Sequence, residues 1–248
     1  MSKPEVGRPL RWLKARVRAL AGRLTPARQW LVANRAQRID PWVSVLRGRQ
    51  EREAHLNRYR FAACHALGTT ALDVACGTGY GSALLRDGGA AFVLGIDLCP
   101  QAVAYAKRKY AVPSVCFTAA DASRLPVPSE TVDLIVFMEA IEHVGPEDLQ
   151  DVFVEFGRVL KPDGRLLVST SVSVPSANPG HSIGPSVGNV MALLAPRFRA
   201  IATYDQVADD RAQGHNGLLP AGLCVSTPES QTCAKACLIV AEPRAWTG

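Results

Sequence analysis

The sequence predicts a doubly wound α/β domain, a parallel sheet covered by helices on both faces. Three observations predict it. A hydrophobic run (Ala71, Leu72, Val74) carries Asp73 straight into a glycine-dense turn, Gly77-Thr78-Gly79-Tyr80-Gly81. Asp73, Asp97 and Asp121 then stand 24 residues apart in each case, each at or just after a hydrophobic β-run. Strand-like and helix-like periods alternate between and beyond them. One β-α repeat per carboxylate puts all three acids on one edge of a parallel sheet, where open α/β sheets bind their ligands.

Each element follows from local pattern. A strand that turns sharply into a helix needs backbone free to take positive φ, and a cofactor lying on the turn needs backbone without a Cβ. Gly77, Gly79 and Gly81 can supply both, although glycines so spaced also build ordinary turns. Ala91 to Ile96 reads as a second buried strand ending in Asp97, and Pro100 to Tyr110 has helical spacing with Pro100 in its first turn. Ser114 to Ala119 is a third strand, running into Asp121. Val132 to Met138 is almost wholly apolar, as a central parallel strand covered on both faces should be, and ends in Glu139. Leu149, Val152, Phe153, Phe156 and Leu160 place a helix over Pro146 to Leu160, which Lys161-Pro162-Asp163-Gly164 stops before a fifth strand from Arg165 to Ser171. Val187 to Leu194 suits a further helix, and Phe198 to Tyr204 and Ala236 to Ala241 are the last two strands of seven. Val207 to Gln231, polar and glycine-bearing, reads as a long loop with a part in acceptor selection.

Several of these blocks occur together in a known family. Leu72-Asp73-Val74-Ala75-Cys76-Gly77-Thr78-Gly79, Gly95-Ile96-Asp97, Ala120-Asp121-Ala122, Met138-Glu139-Ala140-Ile141-Glu142-His143-Val144 and Leu160-Lys161-Pro162-Asp163-Gly164-Arg165-Leu166 resemble the class I S-adenosylmethionine-dependent methyltransferases in order and spacing. The resemblance covers about residues 55 to 205 and implies a Rossmann-like seven-stranded sheet of that type. It implies S-adenosylmethionine as donor, with Asp97 on the ribose hydroxyls, Leu98 beside it, and Asp121 and Ala122 at the adenine. Ala75, Cys76, Gly77 and Gly79 would lie beneath the methionine part, with Asp73 and the backbone near Met138 close to its ammonium. Ala75 stands where many members have the first glycine. A nicotinamide-dependent dehydrogenase is disfavoured, because Ser82 takes the place of the dinucleotide fingerprint's third glycine.

Methyl transfer asks mainly for alignment of nucleophile, methyl and sulfur, so a catalytic group need not stand out in sequence. The candidates are His143, Glu139 and His181, none of which the sequence alone makes catalytic. If a helical turn begins at Glu139, then Glu139, Glu142 and His143 share a face and could accept a proton or hold magnesium, as similar runs do in some methyltransferases. The competing reading is plain loop structure with His143 capping or packing. Before the first strand, His55 to Ala62 resembles the leading helix of bacterial methyltransferases associated with cell-surface sugars or other small metabolites. There Arg58, Tyr59 or Arg60 could reach the donor carboxylate or could simply be exposed helical residues.

Charge divides the chain. Residues 1–60 hold 15 Lys/Arg against 4 Asp/Glu, while residues 61–248 hold 13 against 18. The expected organisation is a basic helical extension over 1–50 and a methyltransferase domain over 51–248. Leu10, Leu13, Val17, Leu20 and Leu24 repeat by three and four among arginines, so residues 10–24 suit an anionic membrane surface, a packing face or nucleic acid. Nucleic acid is disfavoured because no aromatic-interleaved basic platform accompanies the stretch. Seven scattered cysteines (64, 76, 99, 116, 224, 233, 237) lack a paired zinc signature, and no apolar run nears the ~20 residues of a membrane span. A cytoplasmic enzyme is expected, peripheral to the inner membrane face if residues 10–24 bind it. The acceptor expected is a small molecule or glycan precursor methylated on oxygen or nitrogen. A non-catalytic cofactor-binding partner of the same fold, or an RNA methyltransferase, are the alternatives.

Overall fold

The run Val132 to Phe137 shows how the sheet is built. Leu134 and Val136 pack on one face and Ile135 and Phe137 on the other, so successive side chains of one apolar strand feed two separate cores. The computed structural model describes residues 49–171, 186–207, 223–226 and 234–244. The chain divides into Met1–Ile39, which lies outside the described residues, and Asp40–Gly248. The expectations for residues 10–24, for His181 and for most of 207–231 fall outside the described residues as well.

In chain order the elements are α1 (Arg49–Ala63), β1 (Thr70–Val74), α2 (Tyr80–Asp87), β2 (Phe92–Asp97), α3 (Pro100–Tyr110) and β3 (Val115–Ala119). They continue with β4 (Val132–Phe137), a 3-10 turn (Ile141–His143), α4 (Pro146–Val159) and β5 (Leu160–Ser171). The last are α5 (Val187–Leu194), β6 (Phe198–Val207), β7 (Leu223–Val225) and β8 (Ala234–Pro243). The sheet order is β3-β2-β1-β4-β5-β8-β6-β7. β1 to β5 pair in parallel, whereas β8 pairs antiparallel with β5 and β6. The order reverses between β1 and β4, which opens the crevice where doubly wound sheets take ligands.

One core lies under α4 and α5, built from Leu149, Val152, Phe153, Phe156, Val190 and Leu194. The other lies under α1, α2 and α3, with Leu56, Tyr59, Phe61, Leu85, Val103 and Ala106. Helix ends carry the expected signals. Ser186 caps α5 by accepting from the Asn189 amide at 3.2 Å, and α4 has Glu147 and Asp148 in its first turn and Arg158 in its last, matching the helix dipole.

Two departures from the sequence reading concern strand length. Lys161 to Gly164 ends α4 as expected but is absorbed into β5. Leu160 pairs with Val132 and Arg165 with Leu134, so the extra residues bulge out of the ladder. An eighth strand, β7, pairs with Tyr204 to Gln206 at the sheet edge, within the segment expected to be loop. Three residues are too few to show a period, and their pairing depends on a partner remote in sequence.

Candidate functional site

The turn after β1 is a stack of positive-φ positions. Ala75 (φ 59°), Gly77 (φ 53°) and Gly79 (φ 85°) lead into α2, and the Gly79 amide donates to the Cys76 carbonyl at 2.9 Å. The glycines do different jobs. A Cβ on Gly77 would meet nothing within 4 Å, so its backbone faces open space. One on Gly79 would lie 2.7 Å from the Ala106 Cβ and against Phe117, and one on Gly81 would collide with the Tyr59 ring. Of the three, only Gly77 has open space where a side chain would stand; Gly79 and Gly81 are closely packed by Ala106 of α3 with Phe117, and by Tyr59 of α1.

Two acids that look alike in sequence are both buried and are separated by their partners. Asp73 is 0% exposed beneath the turn, accepting from the Tyr59 hydroxyl at 2.9 Å and the Ser82 hydroxyl at 2.6 Å. Burial pushes its carboxyl up to about 6, against the pull of the Ser82 and Tyr59 hydrogen bonds and with the charge of Asp97 adding to the rise. Burial, and then Asp73, push the Tyr59 phenol well above its ordinary value. Asp73 therefore fastens α1 and α2 to the back of the turn. Ser82, which displaces the third fingerprint glycine, is what the sequence showed of this without its meaning being readable.

Asp97 lies at the front, 6% exposed, with its plane set by two backbone amides. Gly77 donates to Oδ2 at 2.9 Å and Cys99 to Oδ1 at 2.8 Å. Beside it Leu98 is 71% exposed, an apolar surface turned outward next to a carboxylate. At the end of β3, exposed Asp121 accepts from both the amide and the hydroxyl of Ser123 at 2.9 Å, and Ala122 is half-buried. The Ala120 amide donates to the Asp97 carbonyl at 3.3 Å, so the two loops are neighbours. An open glycine backbone, an oriented acid and an exposed apolar side chain in one crevice fit the ribose, base and methionine ends of a nucleoside cofactor.

At the end of β4, Met138 is buried and Glu139 is left-handed (φ 51°). The Glu139 amide donates to the Ser169 hydroxyl at 2.9 Å, and that hydroxyl lies 3.0 Å from the Glu139 carboxylate. Arg58 of α1, 4% exposed, stands 3.2 Å from the same carboxylate oxygen and donates to Gln206 of β6 at 2.7 Å. Gln206 in turn donates to the Ala54 carbonyl at 2.9 Å. Ser169 and Gln206 were not singled out in the sequence, since a polar residue inside a strand pattern carries no label for its partner. Arg60 bonds Asn57 and Glu53 on its own exposed helix face and does not join the cluster.

The helical face expected for Glu139, Glu142 and His143 is not formed. The turn there spans only Ile141 to His143, and Glu139 precedes it in a left-handed conformation with a guanidinium as its cation. Among the described residues no group of three His, Cys, Asp or Glu side chains is placed to hold a metal ion. Cys237 is buried in β8, and burial, then Asp205, push its thiol up to about 12, as suits a packing residue. No described helix is long and apolar enough to cross a membrane.

The fold is a doubly wound α/β domain, and comparison with known proteins narrows the class. Residues 72–168 match the methyltransferase domain family. A demethylmenaquinone methyltransferase of Tropheryma whipplei is 30% identical over 157 residues, 60% of this chain and 61% of that protein. A phthiotriol/phenolphthiotriol dimycocerosates methyltransferase of Mycobacterium ulcerans is 34% identical over 116 residues, 46% of this chain and 42% of that protein. The crystal structure of an S-adenosylmethionine-dependent methyltransferase from Mesorhizobium loti superposes with a TM-score of 0.59 at 19% identity, covering 77% of this chain and 98% of that one. The matches to curated relatives span about half of those proteins' length. Residues 72–168 are thus similar to the methyltransferase domain family, and the fold is one that an S-adenosylmethionine-dependent methyltransferase of known structure shares.

Proposed function

We propose that the chain transfers a methyl group from S-adenosylmethionine to an oxygen or nitrogen of a small molecule or glycan precursor. The observation that carries the donor assignment is the open backbone of Gly77 bonded to Asp97, with Leu98 exposed alongside. When bound, the donor supplies a methyl group already activated on a sulfonium. The protein's part is to hold and align.

Asp97, its plane fixed by the Gly77 and Cys99 amides, takes the ribose hydroxyls, an acceptor-only task suited to a carboxylate. Leu98 and Ala122 flank the base, and Asp121 faces its exocyclic amine. Ala75, Cys76, Gly77 and Gly79 form the turn under the methionine part, with Asp73 bracing it from behind and the Met138 backbone near the ammonium. Glu139 is the first candidate to take the acceptor's proton as the new bond to carbon forms, because Arg58 and Ser169 orient its carboxylate at the same strand edge. His143 and His181 are the other candidates. The basic stretch 10–24 is read from its charge as the part that would meet an anionic membrane from the cytoplasmic side.

Incubating the protein with methyl-labelled donor and a cell extract should yield a labelled low-molecular-weight product. Asp97→Ala should weaken S-adenosylhomocysteine binding by on the order of 100-fold in calorimetry, two charge-assisted hydrogen bonds being lost. Intact donor binding with no labelled product from any extract fraction would favour the non-catalytic partner instead.

A further inference from the structure

The loop that follows Asp121 is held from outside by one pair of side chains on α4. Pro126 and Pro128 deprive the segment of two amide donors, which leaves the Val127 amide to donate to the Leu125 carbonyl at 2.8 Å. Arg158 adds donors from outside. Its guanidinium donates to the Leu125 carbonyl at 3.3 Å, the Val127 carbonyl at 2.9 Å and the Ser129 hydroxyl at 3.1 Å. Glu155, one helical turn earlier, accepts from the Leu125 amide at 2.7 Å and grips Arg158 through both oxygens at 2.7 and 2.8 Å. The Leu125 side chain is buried in the core, so that residue is fixed through its amide, its carbonyl and its side chain together.

The anchored residue stands four places after Asp121. Between them the chain is a tight turn, with Ser123 bonded to the Asp121 carboxylate and the Arg124 amide donating to the Asp121 carbonyl at 3.1 Å. Where the carboxylate of Asp121 stands is thus set at one end by β3 and at the other by Leu125. The Arg158 hydrogen bonds hold the Glu155 carboxyl below its ordinary range, and Glu155 raises the guanidinium in return. An ion pair three residues apart on a partly exposed helix is worth little by itself. This pair spends its remaining hydrogen-bonding capacity on the backbone of a loop that reaches the crevice.

We propose that Glu155 and Arg158 are positioning residues for the donor's adenine, setting base selectivity through Leu125 and Asp121 without touching the ligand. The inference rests on the donor site proposed above. Its consequence is specific: a displaced Asp121 costs the hydrogen bond to the exocyclic amine, and a base lacking that amine has nothing to lose.

Calorimetry with S-adenosylhomocysteine and S-inosylhomocysteine, which carries an oxygen in place of the amine, tests it on the full chain. Arg158→Leu is expected to weaken the adenine ligand about tenfold and the inosine ligand less than about twofold, so selectivity falls by nearly the whole effect. Arg158→Lys should recover part of the selectivity, and Arg158→Leu added to Asp121→Ala should change nothing further, since the two act through one contact. If Arg158→Leu does not fold, Glu155→Gln, which keeps the volume and loses the charge, carries the same comparison. Equal weakening of both ligands, or unchanged selectivity in a folded variant, would overturn the proposal. Failure of the wild-type protein to bind S-adenosylhomocysteine at all would overturn the donor site on which it rests.

Discussion

The crevice has two edges held by different means. At the ends of β2 and β3 the front acids are set within the first β-α repeats: Cys99, two residues on, and Gly77, one repeat back, hold Asp97, and Ser123 holds Asp121. At the end of β4 the acid is held by residues from far away, Arg58 of α1 and Ser169 of β5, with Gln206 of β6 behind them. Both edges use a left-handed non-glycine residue after a strand, Ala75 on one side and Glu139 on the other. On the first edge each of these contacts thus lies within two consecutive β-α repeats. The other edge exists only when three remote elements meet.

The largest expected effect tests Asp73, the acid with no exposure at all. Folded Asp73 keeps its proton up to about pH 6, against 3.8 for the free side chain, so folding takes up a proton between these values. Stability should therefore fall as pH rises from about 4 to 6, by roughly 3 kcal/mol in all from this group. Asp73→Asn, which keeps one acceptor oxygen, should lose that slope in urea unfolding; parallel profiles for the two proteins would contradict the burial argument.

Next is Arg58→Met. Removing one partner of a buried pair should cost about 2 kcal/mol, below the usual range for such pairs because the Glu139 side chain is 23% exposed. Methyl transfer should drop while S-adenosylhomocysteine affinity stays within about twofold, a split appropriate to separate edges. If donor affinity falls as far as transfer does, the two edges are one site and the comparison breaks.

The smallest effect concerns the shared left-handed positions. Ala75→Gly should raise stability by about 1 kcal/mol in thermal unfolding, since a methyl group alone is strained there. Glu139→Gly relieves the same strain but strips Arg58 of its partner, so it should not stabilise. A gain from both substitutions would mean that the Arg58 contact contributes nothing.

Much of the fold was legible because its signals are local. The acids recur once per repeat and the period of α4 and the apolar run of β4 each lie within one, while strand bounds differ where pairing decides, most at β5, which begins at Leu160, and β6, which runs on to Val207. The glycine turn was legible as a turn but not in its division of labour, because the neighbours of Gly79 and Gly81 arrive from α3 and α1. Expecting Glu139, Glu142 and His143 on one face assumed a helix starting at Glu139. The pull of Arg58 and Ser169 set a different backbone there, and no spacing rule contains residues 81 and 30 positions away.

What the sequence by itself determined is the order of elements and the turn after β1, since alternating periods and glycine freedom are properties of short stretches. Tertiary structure alone decided which glycine is open, which hydroxyls meet Asp73, and that Glu155 and Arg158 grip the loop after Asp121. Each of those depends on a side chain meeting backbone or charge from another element, and a linear pattern records the residue without its neighbour.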